Sequence, residues 1–142
     1  KGATWIMKFF NLSGKVRNVK IEDYIVDWNR VVSKPQKAAK DFLYKFWKTD
    51  IVLEEFRIPN TLLRIDLFNV SKKIVVEISP AQHTTLSHYF NQNSPAKFLA
   101  SLKRDMKKEE FCKFNNIKFV EIFDEDWPLT KSFFKQKYEI EL

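Results

Sequence analysis

From Asp50 to His83 the apolar positions fall in three blocks separated by turn-forming residues. Ile51 to Ile58 is largely apolar, Asn60-Thr61 is a turn signal, and Leu62 to Val70 is a second apolar block. Ser71-Lys72-Lys73 is a second turn, and Ile74 to Ile78 is a third block rich in β-branched residues. The pattern predicts three consecutive antiparallel strands. Upstream, Ser33 and Gln36 have the spacing of a capping box, and Pro35 is tolerated in the first turn of a helix. Ala39, Phe42, Leu43, Phe46 and Trp47 then recur at helical spacing, which predicts a helix with one buried stripe. Lys34, Lys37, Lys40, Lys45 and Lys48 are distributed around it, and most of them are expected to face solvent. Downstream, Ala96 to Phe114 is a second predicted helix, with Leu99, Leu102 and Met106 as its inner stripe. Asn115-Asn116 is its stop signal, and Ile117 to Phe123 a fourth strand. A crossover through that helix lets the fourth strand run parallel to an earlier one. The expected class is α/β, with a mixed sheet of four or slightly more strands flanked by helices.

The remaining stretches are less patterned. Trp5 to Met7 and Phe9-Phe10 are apolar, Asn11 to Gly14 is a turn candidate, and Lys15 to Ile21 alternates like an exposed strand carrying Lys15, Arg17 and Lys20. Ser79 to Pro95 is polar and aperiodic and holds both histidines, His83 and His88, a length of loop that usually serves a function. Trp127 to Leu142 is basic and aromatic and has the makings of a last short helix. The chain reads as one domain over residues 1–142. Residues 1–32 are an N-terminal brace or basic flap, 33–123 the core, and 124–142 a C-terminal extension.

Side chains alternate across a strand, so Glu77 lies opposite Ile74, Val76 and Ile78, and Asp66 lies opposite Ile65 and Leu67. A carboxylate in the middle of each of two apolar strands is costly to desolvate unless it is paired or bound to a cation. Ion pairing with Arg64 or a lysine is the structural explanation. The chemical one is a hard divalent cation: Mg²⁺ takes one or two protein carboxylates together with phosphate oxygens, and polarises the phosphoryl group. The formal net charge of +7 and pI near 9.4 favour a polyanionic partner. Cys112 stands alone, which excludes an intramolecular disulfide and fits a reducing compartment. No apolar run approaches the roughly 20 residues of a membrane span.

The stretches LEEFRIPNT, LRIDLFN, KKIVVEISPAQH, LKRDMKKEEF and NNIKFVEIF belong to a region from Ser33 to Phe123. In order and spacing they resemble the PD-(D/E)XK, or restriction-endonuclease-like, nuclease core. The branch they are most similar to is the very-short-patch-repair-like one, which includes phage-encoded homing endonucleases of the EDxHD type. The resemblance implies a Mg²⁺- or Mn²⁺-dependent endonuclease acting on double-stranded DNA inside a cell, in the cytoplasm of an infected host where the chain is virus-encoded. By the same resemblance Asp66 is the central metal ligand and Glu77 the second. Glu55 is the upstream acidic residue, Gln82 and His83 the polar pair after the third strand, and Asp105 and Lys108 a later charged pair. His83 would activate the nucleophile, Gln82 orient the site and Lys108 stabilise developing charge, while Lys103, Arg104 and Lys107 would contact DNA phosphates. The chain departs from the family pattern at Ser79, where a lysine is usual, at Ile65, where Pro is usual before the Asp, and at Gln36, where some members supply Glu. The alternative reading is a module of the same fold that binds nucleic acid without cutting it; a further one is a structural basic domain with a protein partner. The recognition sequence and the oligomeric state, a dimer included, are left open, as are further domains in a longer protein.

Overall fold

The computed structural model describes residues 5–79 and 95–142. Its centre is a four-stranded sheet of β3 (Val52–Arg57), β4 (Arg64–Asn69), β5 (Ile74–Ile78) and β6 (Lys118–Ile122), in that spatial order. β3, β4 and β5 are antiparallel neighbours, and β6 runs parallel to β5. Helix α1 (Lys34–Trp47) precedes the sheet, α2 (Pro95–Phe114) connects β5 to β6, and α3 (Lys131–Tyr138) ends the chain. A separate hairpin, β1 (Ile6–Phe10) and β2 (Val16–Lys20), lies N-terminal to all of these. The α/β class and mixed four-stranded sheet expected from the sequence are therefore present. No helix among the described residues is long and apolar enough to cross a membrane.

Turn chemistry sets the strand ends. Asn60 and Lys73, in the two hairpin connections, and Asn116, after α2, all have positive φ, the left-handed conformation that closes tight turns and helix C-termini. Ser33 caps α1 by accepting the Gln36 N–H through Oγ at 3.2 Å. The Gln36 side chain itself is buried, and its Nε2 has no partner among the described residues.

The sheet is covered on both faces. One face carries Leu67, Ile74, Val76, Val120 and Ile122, packed with Ala39, Leu43 and Trp47 of α1 and Phe134 of α3. The other carries Leu53, Phe56, Ile65, Phe68 and Val75, packed with Phe111 and Cys112 of α2 and Phe9 of the hairpin. Phe9, Phe56, Phe68 and Phe111 meet with ring centroids between 5.4 and 6.1 Å apart. Asn115, just past α2, ties the hairpin down: its Oδ1 accepts the Phe10 N–H and its Nδ2 donates to the Phe10 carbonyl.

One sequence expectation is corrected, and another meets an exception. Leu99, Leu102 and Met106 are exposed and do not form the inner stripe of α2. The inward positions include Asp105, Lys108, Phe111 and Cys112, because the helix crosses a sheet face that is polar at one end and apolar at the other. Lys40 is not solvated. It is fully buried, donating to Glu54 Oε1 at 2.6 Å and to the Arg30 carbonyl at 2.9 Å. Glu54 also accepts the Asp27 N–H, so this pair pins the segment before α1 against β3.

Removing one partner of such a pair leaves a buried charge uncompensated, whereas removing both can be nearly neutral. Lys40→Met is expected to lower unfolding stability by about 3 kcal/mol, and the double variant Lys40→Met/Glu54→Gln to recover part of that loss. Urea denaturation midpoints test this. A Lys40→Met midpoint equal to the parent's would rule out a structural role for the pair.

Candidate active site

At Glu55 the regular alternation of β3 breaks. Glu55 has φ +52, and it stands at the gap in the β3–β4 ladder between the pairs Glu54–Leu67 and Phe56–Ile65. A non-glycine residue in this conformation costs on the order of 1 kcal/mol or more and is held only where its surroundings require it. The break changes which core each side chain joins. Glu54 meets Lys40 of α1, yet Phe56, two residues on, packs in the cluster under α2. Leu67 lies in the α1 cluster and Ile65 in the α2 cluster. Glu55 and Asp66 sit opposite each other at this twist, both half-buried.

The β4–β5 ladder ends one pair short of Asp66 and Glu77. Beyond it, side chains take over the backbone donors. The Asp66 N–H donates to Glu77 Oε2 at 2.7 Å, and the Ile78 N–H donates to Asp66 Oδ2 at 2.8 Å. These two bonds hold the carboxyls of neighbouring strands side by side. Lys108 reaches them from α2, with Nζ donating to Glu77 Oε1 at 2.7 Å. Asp105, Lys108, Phe111 and Cys112 are spaced to share one side of that helix, so the burial of Phe111 and Cys112 positions Lys108 over the sheet.

Burial dominates the electrostatics. It pushes Glu77 up to about 7, with the charge of Asp66 adding to the effect against the pull of Lys108. It pushes Asp66 up to about 6, against the Ile78 N–H and Lys108, with Glu55 adding. Burial opposes the charge on Lys108 too, but Glu77 and Asp66 outweigh it and hold the ammonium above its ordinary value. The carboxyls titrate as an interacting pair, while the lysine stays cationic at neutral pH.

A residue that sequence reasoning passed over extends the cluster. Glu121 on β6 is the in-register neighbour of Glu77, and burial raises it to about 7, with Asp105 and Glu109 adding. Asp105 is also raised by burial, and shares a hydrogen bond with Glu121. The signal was available: in the strand KFVEI, Val120 and Ile122 face the core, which puts Glu121 on the face of Glu77. Cys112 is an inert core residue, its thiol pushed up to about 12 by burial.

Of the site residues expected from the sequence, Asp66, Glu77 and Lys108 are brought together, with Glu55 and Asp105 beside them. Lys103, Arg104 and Lys107 are exposed on α2. Gln82, His83 and His88 lie outside the described residues. Among the described residues no cluster of three or more His, Cys, Asp or Glu is arranged to hold a metal ion. The Asp66–Glu77 pair nevertheless suits Mg²⁺, whose usual protein share is one or two carboxylates; buried carboxyls with raised pKa gain from a compensating cation. Comparison with protein-family models, curated proteins and solved structures returns no match to this chain.

Raised carboxyl pKa values fix the sign of a pH effect. Between the ordinary values of 3.8 and 4.5 and the folded values of about 6 and about 7, the folded chain binds more protons than the unfolded chain. The stability these groups contribute is full below about 4 and is lost as pH rises towards about 7. Glu77→Gln cannot titrate. Its melting temperature relative to the parent is therefore expected to rise between pH 4 and 7 and level off above. A constant difference across this range in thermal scans would show that Glu77 is not perturbed.

Proposed function

We propose that the chain is a metal-dependent endonuclease of the PD-(D/E)XK, restriction-endonuclease-like class that hydrolyses phosphodiester bonds in double-stranded DNA. The observation that carries this reading is the pair Asp66 and Glu77: a half-buried and a buried carboxyl on adjacent strands, Glu77 accepting the Asp66 N–H, Asp66 accepting the Ile78 N–H, and the Lys108 ammonium bonded to Glu77. The succession α1-β3-β4-β5-α2-β6, with the last strand parallel to the third, supports it, as does the net charge of +7.

In this reading Asp66 and Glu77 hold Mg²⁺ or Mn²⁺. When bound, the ion supplies Lewis-acid polarisation of a phosphoryl oxygen. Lys108 carries the positive charge that the family's lysine would supply from the position of Ser79. It comes from a helix instead of the strand, and its ammonium is preorganised by its bond to Glu77. A fixed cation of this kind stabilises negative charge developing on the phosphate in the transition state. His83, with an unperturbed imidazole pKa of about 6.5, is suited to taking a proton from the attacking water, and Gln82 to orienting it by hydrogen bonds. Asp105, through Glu121, and Glu55 shape the surrounding negative field. Lys103, Arg104 and Lys107 contact phosphates outside the reacting centre. Phage-type homing is the biological role the resemblance suggests.

Conversion of supercoiled to nicked or linear plasmid with Mg²⁺ tests the proposal. Asp66→Asn and Glu77→Gln are expected to abolish cutting with the fold retained. Lys108→Met is expected to lose about a hundredfold or more in rate, His83→Ala at least about a hundredfold, and His88→Ala almost nothing. A parent chain that binds plasmid but never cuts it with Mg²⁺ or Mn²⁺ would instead identify a binding module, the reading that the serine at position 79 favours.

A further inference from the structure

The N-terminal hairpin and the β3–β4 turn face each other across a groove of about 440 Å³. Its cations are Arg17 and Lys20 from β2 and Arg57 from the end of β3, set against the carboxylate of Asp23. Arg57 is also the cross-strand partner of Arg64, and both are exposed. Like charges directly opposite in a sheet destabilise it. An edge strand is commonly guarded by Lys or Arg, which accounts for Arg17 and Lys20, and for Arg57 on the edge strand β3, but not for a second arginine, Arg64, opposite it on the interior strand β4.

The guanidinium groups are also held in place. Arg17 Nε donates to Asn60 Oδ1 at 2.9 Å, and that oxygen accepts Asn11 Nδ2 at 2.7 Å, linking the two walls of the groove. Arg57 Nε donates to the Thr61 carbonyl at 2.7 Å. Anchoring through Nε uses one of the five donors of a guanidinium and leaves the Nη edge, the geometry that grips phosphate. Arg57 and Arg64 stand two residues along their strands from Glu55 and Asp66, a distance of roughly 7 Å.

The geometry points to this groove as a track for the phosphate backbone of duplex DNA, leading away from the scissile bond at Asp66 and Glu77. The assignment rests on the endonuclease reading and adds a second phosphate-binding surface. It lies at the β3 edge of the sheet, whereas Lys103, Arg104 and Lys107 ride on the helix over β5. Arg57 and Arg64 take the phosphates nearest the site, and Arg17 and Lys20 those farther out. The repulsion between Arg57 and Arg64 is relieved when the polyanion is bound.

Fluorescence anisotropy of a labelled mixed-sequence duplex, titrated with the full chain in Ca²⁺ over a range of salt, tests the assignment. Arg17→Gln/Arg57→Gln is expected to weaken binding at least about tenfold and to lower the slope of log K against log salt by about 2, since each phosphate contact contributes about 0.9. Lys45→Gln/Lys135→Gln, which removes two exposed charges from α1 and α3, is expected to stay within about twofold of the parent, as phosphate contacts are local. Thermal scans accompany each variant. If the first pair unfolds the chain, Arg17→Gln alone carries the same test with a slope change of about 1. Unchanged binding by the arginine variants, with the parent still nicking plasmid, overturns the groove and leaves the endonuclease reading standing. Equal weakening by the lysine control reduces the effect to net charge and also overturns it. A parent that binds no duplex at any salt overturns both.

Discussion

The capture of two backbone donors by the Asp66 and Glu77 carboxyls is the constraint on which the rest of the structure depends. Where β4 and β5 stop pairing, two carboxyls accept the N–H groups of Asp66 and Ile78. A plain sheet would have continued its ladder at no electrostatic cost. This one commits two ionisable groups to a face whose other end is filled by phenylalanine and aliphatic side chains. The cost of desolvating them then dictates what lies above: α2 must bring an ammonium, and it does so through Lys108, locked in place by Phe111 and Cys112 lower on the same helix. The left-handed residue at Glu55 belongs to the same arrangement, since it re-aims β3 where it meets Asp66.

A second buried charge pair shows what a purely structural arrangement looks like. The single carboxylate of Glu54 is met by the Lys40 ammonium, the Asp27 N–H and the nearby Arg30 guanidinium. Near Lys108 the balance differs. Asp66, Glu77, Asp105 and Glu121 gather around it, and all four carboxyls are shifted upward by burial. A surplus of carboxyls drawn partly out of water costs stability unless protons or a cation offset it. This imbalance, rather than acidity alone, favours a site over a strut.

Much of this was legible in the sequence because the strands obey period two and their turns carry the residues that left-handed conformations need. Asp66 and Glu77 stood out as charges inside apolar blocks, and Glu121 would have stood out by the same parity argument. The rest was hidden by tertiary context. Lys40 looks like any solvated helix lysine until Glu54, fourteen positions away, is known to lie beneath it. The face of α2 was misassigned because Leu99, Leu102 and Met106 carry the apolar signal, whereas the buried side begins with Asp105 and Lys108 and becomes apolar only at Phe111. Periodicity counts apolar residues, and a helix that covers a polar site gives it little to count. The kink at Glu55 leaves no trace in hydropathy, because it alters where Phe56 and Ile65 point without altering what they are.

The central claim is that Asp66 and Glu77 together form a divalent-cation site. Titration of the chain with Mn²⁺, followed by the loss of the free-ion paramagnetic resonance signal at neutral pH, tests it without requiring turnover. The account predicts saturable binding that competes with Mg²⁺ and is lost in both Asp66→Asn and Glu77→Gln. Binding that persists unchanged in those two variants, or a parent that takes up no Mn²⁺ with or without DNA, would contradict it.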